Sequence, residues 1–249
     1  ITEQTAAICY VAYSHTKPSL PEVVAVAHDA EIPVIVDAAG QLPPASNLQR
    51  FVSEGADLVV FSGGKAIRGP QSSGILCGRR ELIQAAALQH LDLDIFWEQW
   101  NPPPSLIDKA LLPGAPHHGI GRPCKVGKEE IVGLLTALRM FVDEDSVIRR
   151  QRWYELMQTL QATINHLPHS EAKIVDDSKR SEIPVVHLQL DEESLGKKAL
   201  QVVCELQDGN PSIHVNPSLV DDGIVAFGPL CLKNDQLSFI AHRLDQIFA

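Results

Sequence analysis

The sequence predicts an α/β protein with a parallel sheet covered on both sides by helices, followed by a small α+β domain. Short, nearly continuous apolar runs alternate with amphipathic helical segments over residues 1–90, and each of the first three runs ends in a polar cluster. In chain order, "TAAICYVAY" reads as a strand, and "SLPEVVAVAHDA" as a helix with Ser19 as its cap and Pro21 in the first turn. "IPVIVDAA" is a strand apolar on both faces, "NLQRFVSEG" a helix closed by Gly55, and "DLVVFSGG" a third strand. "GILCGR" follows too soon for a crossover helix, so it returns antiparallel if it joins the same sheet. A helix is expected over 80–89. An irregular segment rich in proline, glycine and aromatic residues follows, "DIFWEQWNPPPSL" and "LLPGAPHHGIGRP", and loops of this length are functional or interfacial more often than idle. Residues 128 to 167 read as two helices or one bent helix, with Ile131, Leu134, Leu135, Leu138 and Phe141 on one face. The tail reads as a strand ("IPVVHLQL"), a helix ("SLGKKALQVVCELQ"), two strands ("SIHVN" and "GIVAFG") and a final helix from Asn234.

A chain of 249 residues, nearly half of them apolar, holds one sizeable core or two domains. The net charge of −10 argues against a nucleic-acid surface spread over the molecule and leaves room only for a local basic patch. No apolar run is long enough to span a membrane. The opening "ITEQTAAICY" has no signal-peptide layout and runs straight into an interior strand, as expected of a fragment lacking an N-terminal portion. The five cysteines, among them Cys9 and Cys77 inside apolar runs, form no C-x-x-C pair and read as buried free thiols of a reducing cytoplasm. His117 and His118 have no carboxylate cluster beside them, so no metal site is expected.

Chemistry concentrates at the strand ends, where open α/β sheets bind ligands: "AYSHTK", "VDAAGQ" and "FSGGK". Asp37 follows four apolar residues, at a depth where a carboxylate needs a positive partner. Lys65 stands 28 positions later, at the end of the next strand. Pyridoxal 5′-phosphate needs a lysine for an imine and a carboxylate to keep its ring nitrogen protonated, and would explain both residues. The same residues also fit a turn cap, an Asp37–Lys65 ion pair and a tight "SGGK" turn. A phosphate loop is excluded, because Val59 stands where the first glycine belongs and Ala66 where Ser or Thr belongs.

The strings "PVIVDAAGQLPP", "GADLVVFSGGKAIRGPQSSGILCGRRELI" and "GRPCKVGKEEIVGLLTAL" resemble the selenocysteine synthase (L-seryl-tRNA(Sec) selenium transferase) family and its D-glucosaminate-6-phosphate ammonia-lyase-like relatives. The resemblance runs from about residue 5 to 140 and is looser in the tail. It implies a three-layer aspartate aminotransferase-like large domain (pyridoxal-phosphate fold type I), partial at the N-terminus, with a small C-terminal α+β domain. The division it implies is 1–125 for the C-terminal part of the cofactor-binding large domain, 126–168 for a helical connector and 169–249 for the small domain. It implies that Lys65 bears the Schiff base and moves protons, that Asp37 pairs with the pyridinium nitrogen, and that Ser62 binds the cofactor phosphate. His15, beside Thr16, would contact the ring or its hydroxyl, and Ala39 would let the ring lie flat. Arg68, Gln71 and Arg122 become candidates for an anionic substrate group, with loop hydrogen bonding or a surface salt bridge as the plainer role of each.

Two features depart from the family pattern. Nothing in residues 1–14 supplies the Gly/Ser/Ala-rich turn that holds the cofactor phosphate, and the tail has His214 and Asn216 where a carboxylate-binding arginine is expected. The expectation is a cytoplasmic, homo-oligomeric pyridoxal-phosphate lyase that eliminates a group from an amino acid and yields a keto acid and ammonia, the resemblance implying a sugar amino acid or a hydroxy amino acid as substrate. The alternatives are a selenium or sulfur transferase acting on seryl-tRNA, against which the acidic balance counts, and a non-catalytic fragment or paralogue.

Overall fold

The computed structural model describes residues 1–13, 15–91, 95–114, 118–176 and 182–249. The chain forms two compact units, Ile1–Asp143 and Glu144–Ala249. The stretch expected as a connector is divided between them, its first helix in one unit and its second in the other.

The first unit is built on a four-stranded sheet in sequential order. Strands β1 (Ile8–Val11), β2 (Val34–Asp37) and β3 (Leu58–Ser62) are parallel, and β4 (Gly74–Gly78) returns antiparallel to β3, the geometry its short connection demands. Helix α1 (Leu20–Asp29) starts at Ser19, whose backbone N–H donates to Glu22 Oε2 at 2.7 Å, closing a capping box with Pro21 in the first turn. Helix α2 (Asn47–Ser53) sets Phe51 against Phe61 of β3, ring centroids 6.2 Å apart. Helix α3 spans Arg80–Gln89, and α4 spans Lys128–Asp143. Leu20, Val24, Ala27, Phe51, Leu134 and Phe141 from these helices share a core with Val34, Val36, Val59 and Phe61 of the sheet. The other face of the sheet is open among the described residues of this unit: Val11 is 45%, Val60 37% and Leu76 41% exposed. The strands are apolar on both faces, as the sequence indicates, but these helices cover only one.

Two further expectations change for the same reason. Cys9 alternates onto the open face and is exposed, whereas Cys77 is half-buried on the packed face; all five thiols are free. On α4 only Leu134 and Phe141 are buried, while Ile131 and Leu135 are exposed and Leu138 half-buried. The stripe pointing at the sheet is narrower than the apolar periodicity suggests.

The second unit packs helices α5 (Ser146–Ile164), α7 (Ala199–Gln207) and α8 (Leu237–Phe248) around a three-stranded antiparallel sheet of β5 (Ser170–Val175), β6 (Val185–Leu190) and β7 (Ile224–Phe227). A short helix α6 (Glu192–Leu195) precedes α7, and the break between them is Gly196 in left-handed conformation. The expected single helix over this stretch is therefore two. "SIHVN" is not a strand: Pro211 and Pro217 flank it, and its single ladder contact is the bridge from Asn216 to Ala226. The strand β5, not expected from the sequence, occupies an edge, where Glu171 and Lys173 point outward and only Ala172 is buried.

Candidate active site

The carboxyl ends of β2 and β3 bring the principal candidates to one edge of the sheet. Asp37 is the last residue of β2, in register with Val60 of β3, and Ser62 ends β3 three residues before Lys65. The two residues on which the cofactor reading depends therefore sit at the same edge of neighbouring strands, joined by no ion pair.

Asp37 lies on the open face and is exposed, not buried as expected. Its Oδ1 accepts the backbone N–H of Ala39 at 2.9 Å, so one carboxylate oxygen does cap a turn. The other oxygen makes no hydrogen bond among the described residues and is left to bind a further donor. Burial goes on alternating past Asp37: Ala38 is fully buried and Ala39, at the turn, is half-buried. Ser62 is half-buried, and its hydroxyl has no partner among the described residues.

Lys65 is exposed, in a loop closed on itself. The Gly63 N–H donates to Ser73 O at 2.9 Å, the Gly69 N–H to Gly63 O at 2.8 Å, and the Arg68 N–H to Lys65 O at 2.9 Å. Both glycines before the lysine are sterically required. A Cβ on Gly63 would lie 2.8 Å from Leu134 Cδ1, and one on Gly64 2.7 Å from Gln71 Cα. Ala66 and Ile67 are buried and anchor the far side of the loop. These contacts hold the lysine backbone while leaving its amine in the open.

The remaining candidates are placed as follows. His15 is exposed and stacks on Tyr13, centroids 5.7 Å apart and planes 13° from parallel. Thr16 Oγ1 donates to Val11 O and accepts from Tyr13 N–H, both at 3.0 Å, which pins the loop after β1. Tyr13 was not among the sequence candidates; its spacing two residues before His15 is the signal that marks it. Arg68 is exposed at a φ of 63°. Gln71 is exposed with its side chain against Gly64, the plainer loop role. Arg122 opens a 3-10 turn, Arg122–Cys124, and the preceding Gly121 N–H bonds Gln89 O at the end of α3 at 2.8 Å, so this candidate is tied to a helix end and not to a strand end. His214 is exposed, its Nε2 3.1 Å from Ser212 Oγ. His117 lies outside the described residues, and among the described residues no group of three His, Cys, Asp or Glu could hold a metal ion. No described helix is long and apolar enough to cross a membrane.

Residues 5–94 match the family model of L-seryl-tRNA selenium transferase. A 5′-C-glycyluridine monooxygenase-decarboxylase of a Streptomyces species is 31% identical over 99% of this chain and 55% of its own length. The D-glucosaminate-6-phosphate ammonia lyase of Salmonella typhimurium is 27% identical over 99% of this chain and 58% of its own. A solved structure of a D-glucosaminate-6-phosphate ammonia-lyase superposes over the whole chain and 58% of its own, at a TM-score of 0.73 and 27% identity. The cysteine desulfurase CsdA of Escherichia coli shares the fold at a TM-score of 0.52, 17% identity and 99% of this chain against 60% of its own. The fold is that of the pyridoxal-phosphate enzymes of fold type I. Over residues 5–94 the chain is similar to the selenium transferases, and over its whole extent it is similar to a D-glucosaminate-6-phosphate ammonia lyase. It spans 55% to 58% of the length of the two curated relatives matched over its whole extent.

Proposed function

We propose that this chain carries the lysine-bearing part of a pyridoxal-phosphate-dependent lyase acting on an amino acid. The observation that carries the reading is the edge shared by Asp37 and Lys65, on a fold whose relatives include an ammonia lyase. The residues fit the cofactor: an exposed amine on a braced loop, a carboxylate with one oxygen committed to a turn and the other open, a hydroxyl with no partner among the described residues, and a small residue at 39.

Pyridoxal phosphate, when bound, supplies an aldehyde for imine chemistry and a ring that accepts electrons from the substrate α-carbon. Lys65 would hold the cofactor through its amine, and that amine, when free, would be the base for the substrate α-proton. Asp37 would keep a proton on the ring nitrogen by charge and hydrogen bonding. Ser62 would donate to the phosphate, His15 would pack on or bond the ring, and Ala39 would let the ring lie flat. The activity this supports is elimination from an amino acid, with a keto acid and ammonia as products.

The test is spectroscopic. Full-length protein incubated with pyridoxal phosphate develops an absorption band at the edge of the visible, bleached by borohydride. Lys65→Ala abolishes the covalent adduct, and persistence of the adduct in that variant refutes the assignment. The selenium-transferase match at 5–94 favours one second reading, transfer onto a seryl-tRNA, which demands salt-sensitive tRNA binding by the full-length protein.

A further inference from the structure

Gly133 stands inside α4, although glycine is the poorest helix former after proline. Pro70, in the loop that carries Lys65, supplies the reason. A Cβ on Gly133 would lie 2.8 Å from Pro70 Cγ and 3.3 Å from Pro70 Cδ. The next residue, Leu134, is buried, and the loop approaches it as closely from the other side. A Cβ on Gly63 would lie 2.8 Å from Leu134 Cδ1, and one on Gly69 would lie 3.3 Å from the same methyl and 3.4 Å from Leu134 Cα. Leu134 therefore fills a notch between Gly63 and Gly69, the two glycines that the loop joins by a hydrogen bond of 2.8 Å.

This notch lies at the base of the loop, with one glycine on each side of Lys65 in the sequence. Ser73 completes the closure: its Oγ donates to Pro70 O at 2.6 Å, and its carbonyl accepts the Gly63 N–H at 2.9 Å. These bonds run within residues 63–73, so they set the shape of the loop. Its tilt against the rest of the unit is left to packing. Ala66 and Ile67 are buried in the same core as Leu134, and Lys65 projects from the opposite, exposed side. The contact with α4 thus fixes the direction from which the amine leaves the backbone.

Resting on the lyase reading, we propose that Leu134 is a positioning residue for Lys65, acting through the glycine notch to hold the amine where the cofactor binds. Gly133 serves the same contact by letting Pro70 down onto the helix. A displacement of about 1 Å, caused by a change far from the chemistry, can cost on the order of 100-fold in rate. A loop of fixed shape passes such a displacement from its base to the amine.

The test uses the full-length protein with pyridoxal phosphate as probe, and times formation of the covalent adduct by borohydride trapping well below Tm. Leu134→Ala slows adduct formation by about 10- to 100-fold. Leu134→Met, which conserves the volume, restores most of the rate. Gly133→Ala pushes on Pro70 without emptying the core and slows formation as well, which carries the test if Leu134→Ala does not fold. Val24→Ala trims the same core on α1, beside Gly55 and away from the loop, and lowers Tm while leaving the rate unchanged. A second measurement needs no cofactor: amide exchange at Gly63, Arg68 and Gly69 rises at least about 10-fold in Leu134→Ala and not in Val24→Ala. The proposal is overturned if Leu134→Ala or Gly133→Ala forms the adduct at the wild-type rate, or if loop exchange is unchanged in Leu134→Ala. It is equally overturned if Val24→Ala slows the adduct as much, which would make the effect one of general stability. A wild type that forms no adduct overturns the lyase reading and the role of Leu134 with it, and a rise in loop exchange would then report packing alone.

Discussion

Asp37 combines two jobs in one carboxylate: Oδ1 holds the turn to Ala39, and the second oxygen remains available. Asp37→Asn keeps an acceptor for the turn but removes the charge, so it separates the two. The variant is expected to fold with unchanged Tm while turnover falls by about 100-fold or more, the usual cost of losing one preorganised electrostatic contact. An unchanged rate would remove Asp37 from the chemistry. The thiols give a second test at this scale. Burial pushes the Cys77 thiol above its ordinary pKa, whereas Cys9 is exposed on the open sheet face. Cys9 of the 249-residue chain is therefore expected to react with a disulfide reagent well before Cys77, as peptide mapping after timed labelling would show.

Among the elements, the sheet is clamped at the edge opposite the site. Asp57, 3% exposed, precedes β3 and accepts from the Val34 N–H at 2.7 Å, His28 Nε2 at 2.9 Å and Arg79 Nη1 at 3.0 Å, tying α1, β2, β3 and the start of α3 together. Burial pushes this carboxyl up, but the Val34 N–H, His28 and Arg79 together outweigh it and hold the pKa below the ordinary range. A depressed folded pKa stabilises the fold above the unfolded value of about 4, and that stabilisation is lost as pH falls through the folded pKa. Asp57→Asn is expected to cost about 2–4 kcal/mol at neutral pH and to flatten the acid limb of a denaturation series. An equally steep acid limb in the variant would show that the clamp does not carry it. Clamping one edge frees the opposite edge to carry loops selected for chemistry.

For the whole molecule, two separate cores predict separable stability. Leu244 of α8 is fully buried in the second core, with Met157, Leu160 and Leu206 in the same cluster. Leu244→Ala is expected to destabilise residues 144–249 by about 2–5 kcal/mol, and amide exchange in β2 and β3 should stay unchanged. A uniform rise in exchange across both units would show one cooperative molecule. The open sheet face, with Val11, Val60 and Leu76 exposed beside Asp37, belongs to a chain that spans little more than half of its curated relatives.

Periodicity, the punctuation of glycine and proline and the polar strand ends were enough to reveal β1 to β4, the helices around them and the place of Asp37 and Lys65 at or just past the carboxyl ends of neighbouring strands, because each signal is local. The edge strand β5 escaped, since an outward Glu171 and Lys173 beside a small Ala172 leave little hydrophobic contrast. "SIHVN" misled in the opposite direction, because strand-like composition does not supply a ladder between two prolines. Which sheet face is covered, which α4 side chains are buried, and the left-handed backbone of Arg68 were decided by tertiary structure alone. Burial and loop closure depend on residues distant in sequence, and no local pattern encodes which of two apolar faces will find a partner.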